Sequence, residues 1–206
     1  MKYHFHFCHL INYLISDRVV PEPQHVLEEI FMAIYQIDPA HSAASFSVKH
    51  MMIAKVHGGF EKLSGTLNYD PTSLSLSSVE AVIDARSINT REAQRDTHLK
   101  SADFFDVDQF PNITFKSSRF EGPLSDLKVS GDLTIHGVTK KVSLAVETPS
   151  PELKDPYGNL KIGISASLKI KRKDFGLTWN AALEAGGVFV ADEVSITLDL
   201  QFAKQV

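Results

Sequence analysis

The feature that most constrains this chain is a two-residue alternation of apolar and polar side chains, recurring from Ile34 to Phe202. Successive side chains of a strand point to opposite faces, so this pattern belongs to sheets with one buried and one wet face. Phe46 and Val48 alternate with Ser45, Ser47 and Lys49, and Leu67 and Tyr69 with Thr66 and Asn68. Val79, Ala81 and Ile83 oppose Glu80 and Asp84, and Ile113 and Phe115 oppose Thr114 and Lys116. Leu127, Val129, Leu133 and Ile135 form the next apolar phase, followed by Val142, Leu144 and Val146. Ile162, Ile164, Ala166, Leu168 and Ile170 then face away from Lys161, Ser165, Ser167 and Lys169. Val194, Ile196, Leu198, Leu200 and Phe202 form the last phase, bringing the count to about eight strands. Asp70-Pro71, Gly122-Pro123, His136-Gly137 and Asp155-Pro156-Tyr157-Gly158-Asn159 supply turns between them. Such short connections favour antiparallel hairpins over parallel crossovers. An all-β fold follows, but the pattern leaves a sandwich and a closed barrel both open.

One stretch departs from this rhythm. Asn89 to Asp106 has neither Gly nor Pro and no period of two. With Asn89 as cap and Glu92 three residues on, it reads as a short helix laid across one end of the sheet system. Phe104 and Phe105 close it and need burial.

Composition removes several function classes. Hydrophobic residues make up 43% and charged residues 22% of 206, the proportions of a globular domain. The formal net charge of −4 gives a phosphate backbone nothing to bind, so no nucleic-acid partner is expected. The lone Cys8 precludes an internal disulfide and a cysteine metal site. No apolar run approaches the roughly 18 residues of a membrane span, so no stable membrane insertion is expected.

Residues 1–32 differ in texture from the rest. They hold His4, His6, His9 and His25 among scattered aromatics, with no clean period. The apolar stretch from Phe5 to Ile15 is interrupted by His6, His9 and Asn12, and no small-x-small cleavage site follows. A metal-binding histidine tail is a second reading, but no fold fixes its geometry. The preferred reading is a misassigned start. Glu28-Glu29-Ile30-Phe31-Met32 back-translates to a purine-rich GAGGAG, a short spacer and ATG. On this expectation the chain begins at Met32, and residues 33–206 are the folded domain.

Candidate chemistry is sparse. Asp96 and His98 suggest a carboxylate orienting a general base, yet residues two apart do not face each other on a helix. The competing reading has Arg95 and Asp96 tying the helix to the sheet. His41, His50, His57 and His136 lack metal-ligand spacing, and no metal site is expected. There is no nucleophile elbow, P-loop or dinucleotide fingerprint. Gly186-Gly187 reads as a turn. Met51, Met52, Ile53 and Phe60 read either as a flexible apolar cluster suited to a sliding ligand or as plain core filling. Lys140-Lys141 and Lys171-Arg172-Lys173 are either anion contacts or solvated strand ends.

Several segments, in order, resemble the YceI-like family. They are Ile37-Asp38-Pro39-Ala40-His41-Ser42, Phe46-Ser47-Val48-Lys49-His50-Met51-Met52, and Gly59-Phe60 with Ser64-Gly65-Thr66-Leu67. Ser87-Ile88-Asn89-Thr90 and the run from Arg95 to Asp106 (RDTHLKSADFFD) follow, then Phe110 to Ser117 (FPNITFKS) and Gly131 to Lys140 (GDLTIHGVTK). Arg172 to Asn180 (RKDFGLTWN) and Asp192-Glu193-Val194 complete the series. Tyr35 stands where that family usually has tryptophan, and residues 1–31 have no counterpart. The resemblance implies an extended, lipocalin-like antiparallel β-barrel of about eight strands, capped by a helix, that holds a polyisoprenoid or similar long-chain lipid without catalysis.

The apolar wall expected on this basis comprises Phe46, Val48, Met52, Phe60, Leu67, Val79, Ile83, Ile113, Phe115, Leu133, Ile135, Leu144, Ile164, Leu168, Phe175, Trp179, Ile196 and Leu198, with small Ala81, Gly131 and Ala166 making room. His50, Arg95, His98 and Arg172 are the head-group candidates at the rim. The expected partner is one small lipid molecule, a polyisoprenoid, isoprenoid quinone or fatty-acid-like chain, with no cofactor, and a homodimer stays open. Without a credible export signal the expectation is cytoplasmic, with the periplasm as alternative. An enzyme acting on the lipid through Asp96 and His98 and an interaction barrel with a filled core are the competing functions.

Overall fold

The computed structural model describes residues 32–182 and 187–205. The readings of residues 1–31 and of Gly186 therefore lie outside the described residues. Twelve strands join in one sheet that closes on itself.

Closure is easiest to see by ring position, because several positions are shared by two short strands in line. β1 (Ala33–Ile37) and β2 (Ala43–His50) share one, separated by a tight turn at Pro39–His41. Proline has no N–H for the ladder, so a break falls there. β3 (Ala54–Phe60) and β4 (Leu63–Tyr69) fill the next position, with Ala44 opposite Phe60 and Tyr35 opposite Leu67. β5 (Ser78–Asp84) and β6 (Ile88–Asn89) fill the third, paired to β4 and β3 respectively. β7 (Asn112–Glu121) and β8 (Leu127–Ile135) follow. β9 (Val138–Val146) shares its position with β10 (Leu153–Lys154), both pairing to β11 (Leu160–Lys171). β12 (Val190–Lys204) runs against β11 from Lys171↔Glu193 to Lys161↔Ala203. Its other edge pairs with β2 and β1, which closes an eight-position antiparallel barrel. The seam between β9 and β11 is the thinnest, held by the pairs Val146↔Ala166 and Ala145↔Ser167.

The alternation read in the sequence becomes inside and outside. β8 alternates buried with less buried residues along its whole length. Its turn to β9 is His136-Gly137, both at positive φ, as a two-residue hairpin requires.

The helix α1 spans Ala93–Lys100, the short helix that the 89–106 stretch suggested. Its cap is Glu92 rather than Asn89: the Glu92 carboxylate accepts from the N–H groups of Gln94 and Arg95. Asn89 is held in β6 opposite Gly59, and its side chain accepts from Arg91 N–H instead. Of the two aromatics that close the segment, Phe104 is buried and Phe105 half-buried, and Val107 is buried beside them. Among the described residues no helix is long and apolar enough to cross a membrane.

Candidate functional site

The barrel encloses a cavity of about 240 Å³. Its wall runs along β12 from Val190 to Phe202. At about 3.3 Å per residue and a tilt of roughly 40°, that is about 30 Å of barrel height. The modest volume along this height describes a narrow, elongated space. Phe46, Phe60, Phe115 and Phe120 supply much of the narrowing.

Of the eighteen apolar residues expected on the wall, all but Met52, Phe175 and Trp179 line the tube. Met52 sits at the tip of the β2–β3 hairpin and is 55% exposed. Phe175 is fully buried, but in the packing between the barrel end and the segment after β11, beside Ala85, Ile135 and Leu177. Trp179 stacks on the outer side of Phe104 with ring centroids 5.2 Å apart, and Phe104 takes the wall position. Of the small residues, Ala81 and Ala166 face the tube, but Gly131 opens no space in it. A Cβ there would sit 2.6 Å from the Phe115 ring, so this glycine lets Phe115 lie across the strand. Gly58 does the same for Phe46, at 2.5 Å.

Wall residues that were not singled out include Ile37, Leu63, Phe120, Val129, Val142 and Leu177. Val129 and Val142 were visible in the alternation; Leu177 lies in the segment between β11 and β12 and has no period to reveal it. Leu99, the inward residue of α1, and Phe105 close one end, where Phe105 meets Phe60 edge to face at 5.9 Å. At the far end the buried Tyr35 donates its hydroxyl to Glu152 at 2.6 Å, and Lys204 meets the same carboxylate at 3.1 Å. Burial and the Glu152 carboxylate push the Tyr35 phenol well above its usual range. Tyr35 thereby pins the Pro-containing link between β9 and β10.

The polar candidates are tied into the scaffold. Arg95 donates to the hydroxyl and carbonyl of Thr90, and Asp96 accepts from the N–H and hydroxyl of that same residue. The three residues knot α1 to the end of β6, as the structural reading of Arg95 and Asp96 anticipated. His98 pairs with Asp103 at 2.9 Å, not with Asp96, and its ring packs between Phe104 and Trp179. Asp96 and His98 thus form no dyad. His50 packs its ring on Phe189 at 4.4 Å and lies off the tube wall.

Arg172 does reach the tube, but only 3% of it is exposed and its guanidinium is spoken for. It donates to the carbonyls of Leu177, Trp179, Val190 and Ala191, gathering the segment after β11 against the start of β12. Burial pushes its pKa down, opposed by the nearby Asp192. Among the described residues the wall therefore offers hydrocarbon along nearly its whole length and no cation free of protein partners. Among the described residues no three His, Cys, Asp or Glu side chains converge as a metal site.

Comparison with known proteins fits this geometry. The YceI-like domain matches residues 35–202. A UPF0312 protein of Staphylococcus aureus strain MSSA476 is 36% identical over 172 residues, 84% of this chain and 98% of the relative. A crystallised YceI protein of Campylobacter jejuni is 31% identical with a TM-score of 0.66, over 77% of this chain and 90% of that one. BcnA of Burkholderia cenocepacia is 26% identical with a TM-score of 0.69, over 80% and 98%. A polyisoprenoid-binding domain from Saccharophagus degradans shares the fold at 19% identity and a TM-score of 0.60.

Proposed function

We infer that this chain, which belongs to the YceI-like family, holds a single long, uncharged lipid chain, polyisoprenoid or acyl, in its lumen without altering it. The observation that carries the reading is the tube whose wall is almost purely apolar. Each buried CH₂ contributes about 0.8 kcal/mol, while immobilising a ligand costs on the order of 4–15 kcal/mol. A chain of about ten carbons, at roughly 8 kcal/mol gross, falls within that range, whereas one of about twenty carbons, at roughly 16 kcal/mol gross, exceeds it. Selection is then by length and width rather than by a head group.

This explains why no polar wall residue is needed. A carboxylate or phosphate head would find the wall's one cation, Arg172, already engaged and would stay at the mouth, since burying an unpaired charge is expensive. The tube weighs against a filled-core interaction barrel. The separate hydrogen bonds of Asp96 and His98 weigh against chemistry on the lipid through that pair.

Titration with a series of straight-chain and isoprenoid alcohols tests the reading. Affinity should rise about fourfold per added carbon until the lumen is full, then level off. Affinity independent of chain length would refute it.

A further inference from the structure

A protein that takes a water-insoluble chain into an apolar tube needs a way to reach the bilayer that supplies it. The β2–β3 hairpin has the make-up of a membrane-seating tip. Its loop is Met51-Met52-Ile53, and these side chains are 40%, 55% and 83% exposed. Ile53 N–H closes the turn on the His50 carbonyl at 3.1 Å, with Met51 and Met52 both at positive φ. That turn favours Asn and Gly, so two methionines here keep apolar surface where the backbone prefers small polar residues.

Charge singles out the same hairpin. The chain is net acidic, yet no Asp or Glu lies between Asp38 and Glu61. Lys49 and Lys55 face each other across the ladder just below the tip. The lysine ion pairs among the described residues involve Lys116, Lys141, Lys161, Lys169 and Lys204 instead. An apolar tip above a pair of lysines complements a bilayer with anionic head groups.

Position links the tip to the lumen. Val190, the ladder partner of His50, lines the tube, as do Phe46 and Val48 on β2 itself. An aromatic chain runs from His50 through Phe189 and Trp179 to Phe104 on the tube wall, at centroid spacings of 4.4, 6.3 and 5.2 Å.

We propose that the Met51–Ile53 hairpin tip, with Lys49 and Lys55, seats this end of the barrel on an anionic lipid bilayer so that the lipid passes between membrane and lumen. The proposal rests on the lumen reading, and its test separates the two. The full chain is floated with phosphatidylglycerol/phosphatidylethanolamine vesicles and with phosphatidylcholine vesicles, and uptake of farnesol from vesicle-free solution is measured in parallel. The wild type should float with the anionic vesicles. Met52→Ser/Ile53→Ser should lower that partitioning on the order of 100-fold. Lys49→Gln/Lys55→Gln should lower it about 25-fold on anionic vesicles and leave phosphatidylcholine unchanged. Both variants should take up farnesol as the wild type does, which shows that they fold. A wild type that stays in the aqueous phase, a Met52→Ser/Ile53→Ser variant that floats equally well, or a hairpin-dependent dimer formed without vesicles would each overturn the proposal. Flotation without farnesol uptake would instead retire the lumen reading and leave only a membrane-binding barrel.

Discussion

Ala166→Phe fills the tube from inside and tests whether its empty volume is the binding site. Ala166 is 6% exposed on β11, faces the lumen, and lies opposite Leu198 on one side and Val146 on the other. The substitution adds a ring of about six carbons to a space of about 240 Å³. If that ring displaces roughly four to six carbons of bound chain, the ligand loses about 3–5 kcal/mol, or some hundred- to several-thousand-fold in affinity. The ligand-free protein should keep its urea midpoint or gain slightly, because the ring occupies void rather than displacing packed atoms. The assay is competitive titration with a fluorescent long-chain alcohol, beside urea denaturation of the delipidated protein. An unchanged affinity with an unchanged midpoint would refute the reasoning, since the chain would then be bound somewhere other than the tube.

Further outcomes follow from the polar anchors. Arg172→Met leaves four carbonyls without their donor and should destabilise the fold by about 3–5 kcal/mol, read from urea denaturation. Asp96→Ala should cost about 1–2 kcal/mol by loosening α1 from Thr90, and neither it nor His98→Ala should change the chemical identity of bound lipid in extracts. Acid should weaken the barrel. Asn159, with backbone N–H groups and Lys161, holds the Asp155 carboxyl down to about 2, and Lys161 and His41 hold Asp38 below its usual range. A depressed folded-state pKa stabilises above the unfolded value near 4 and is lost as pH falls towards 2. The urea midpoint should therefore fall between about pH 4 and pH 2, and Asp155→Asn should flatten that slope. A midpoint level across this window would contradict the assignment.

Much of the barrel was legible because its strands bury one face only. β8, β9, β11 and β12 have clean alternation, and their inward phase is the tube wall. β3 was missed because Ala54–Phe60 holds only Val56 and Phe60 as large apolar residues and breaks its pattern with Gly58-Gly59. Those glycines serve close approach, the first under the Phe46 ring. Met52 was grouped with Phe60 on apolar character, but a tight turn separates them and sends one outward while the other stays on the wall. Phe175 and Trp179 are apolar residues between β11 and β12, where no period tells wall from outer packing. Arg172 was read as a possible head-group contact because its partners are backbone carbonyls of residues 177–191, which leave no trace in side-chain sequence. Closure was out of reach for a simpler reason: alternation fixes which face is buried, not whether the first strand meets the last.

The most direct test of the account is native mass spectrometry of the purified protein, followed by organic extraction of the same sample. The spectrum should show a population heavier than the chain by one lipid, with a single long-chain, uncharged species recovered on unfolding. Protein that shows only the mass of the bare chain, and still does so after incubation with long-chain isoprenoid alcohols, would contradict it.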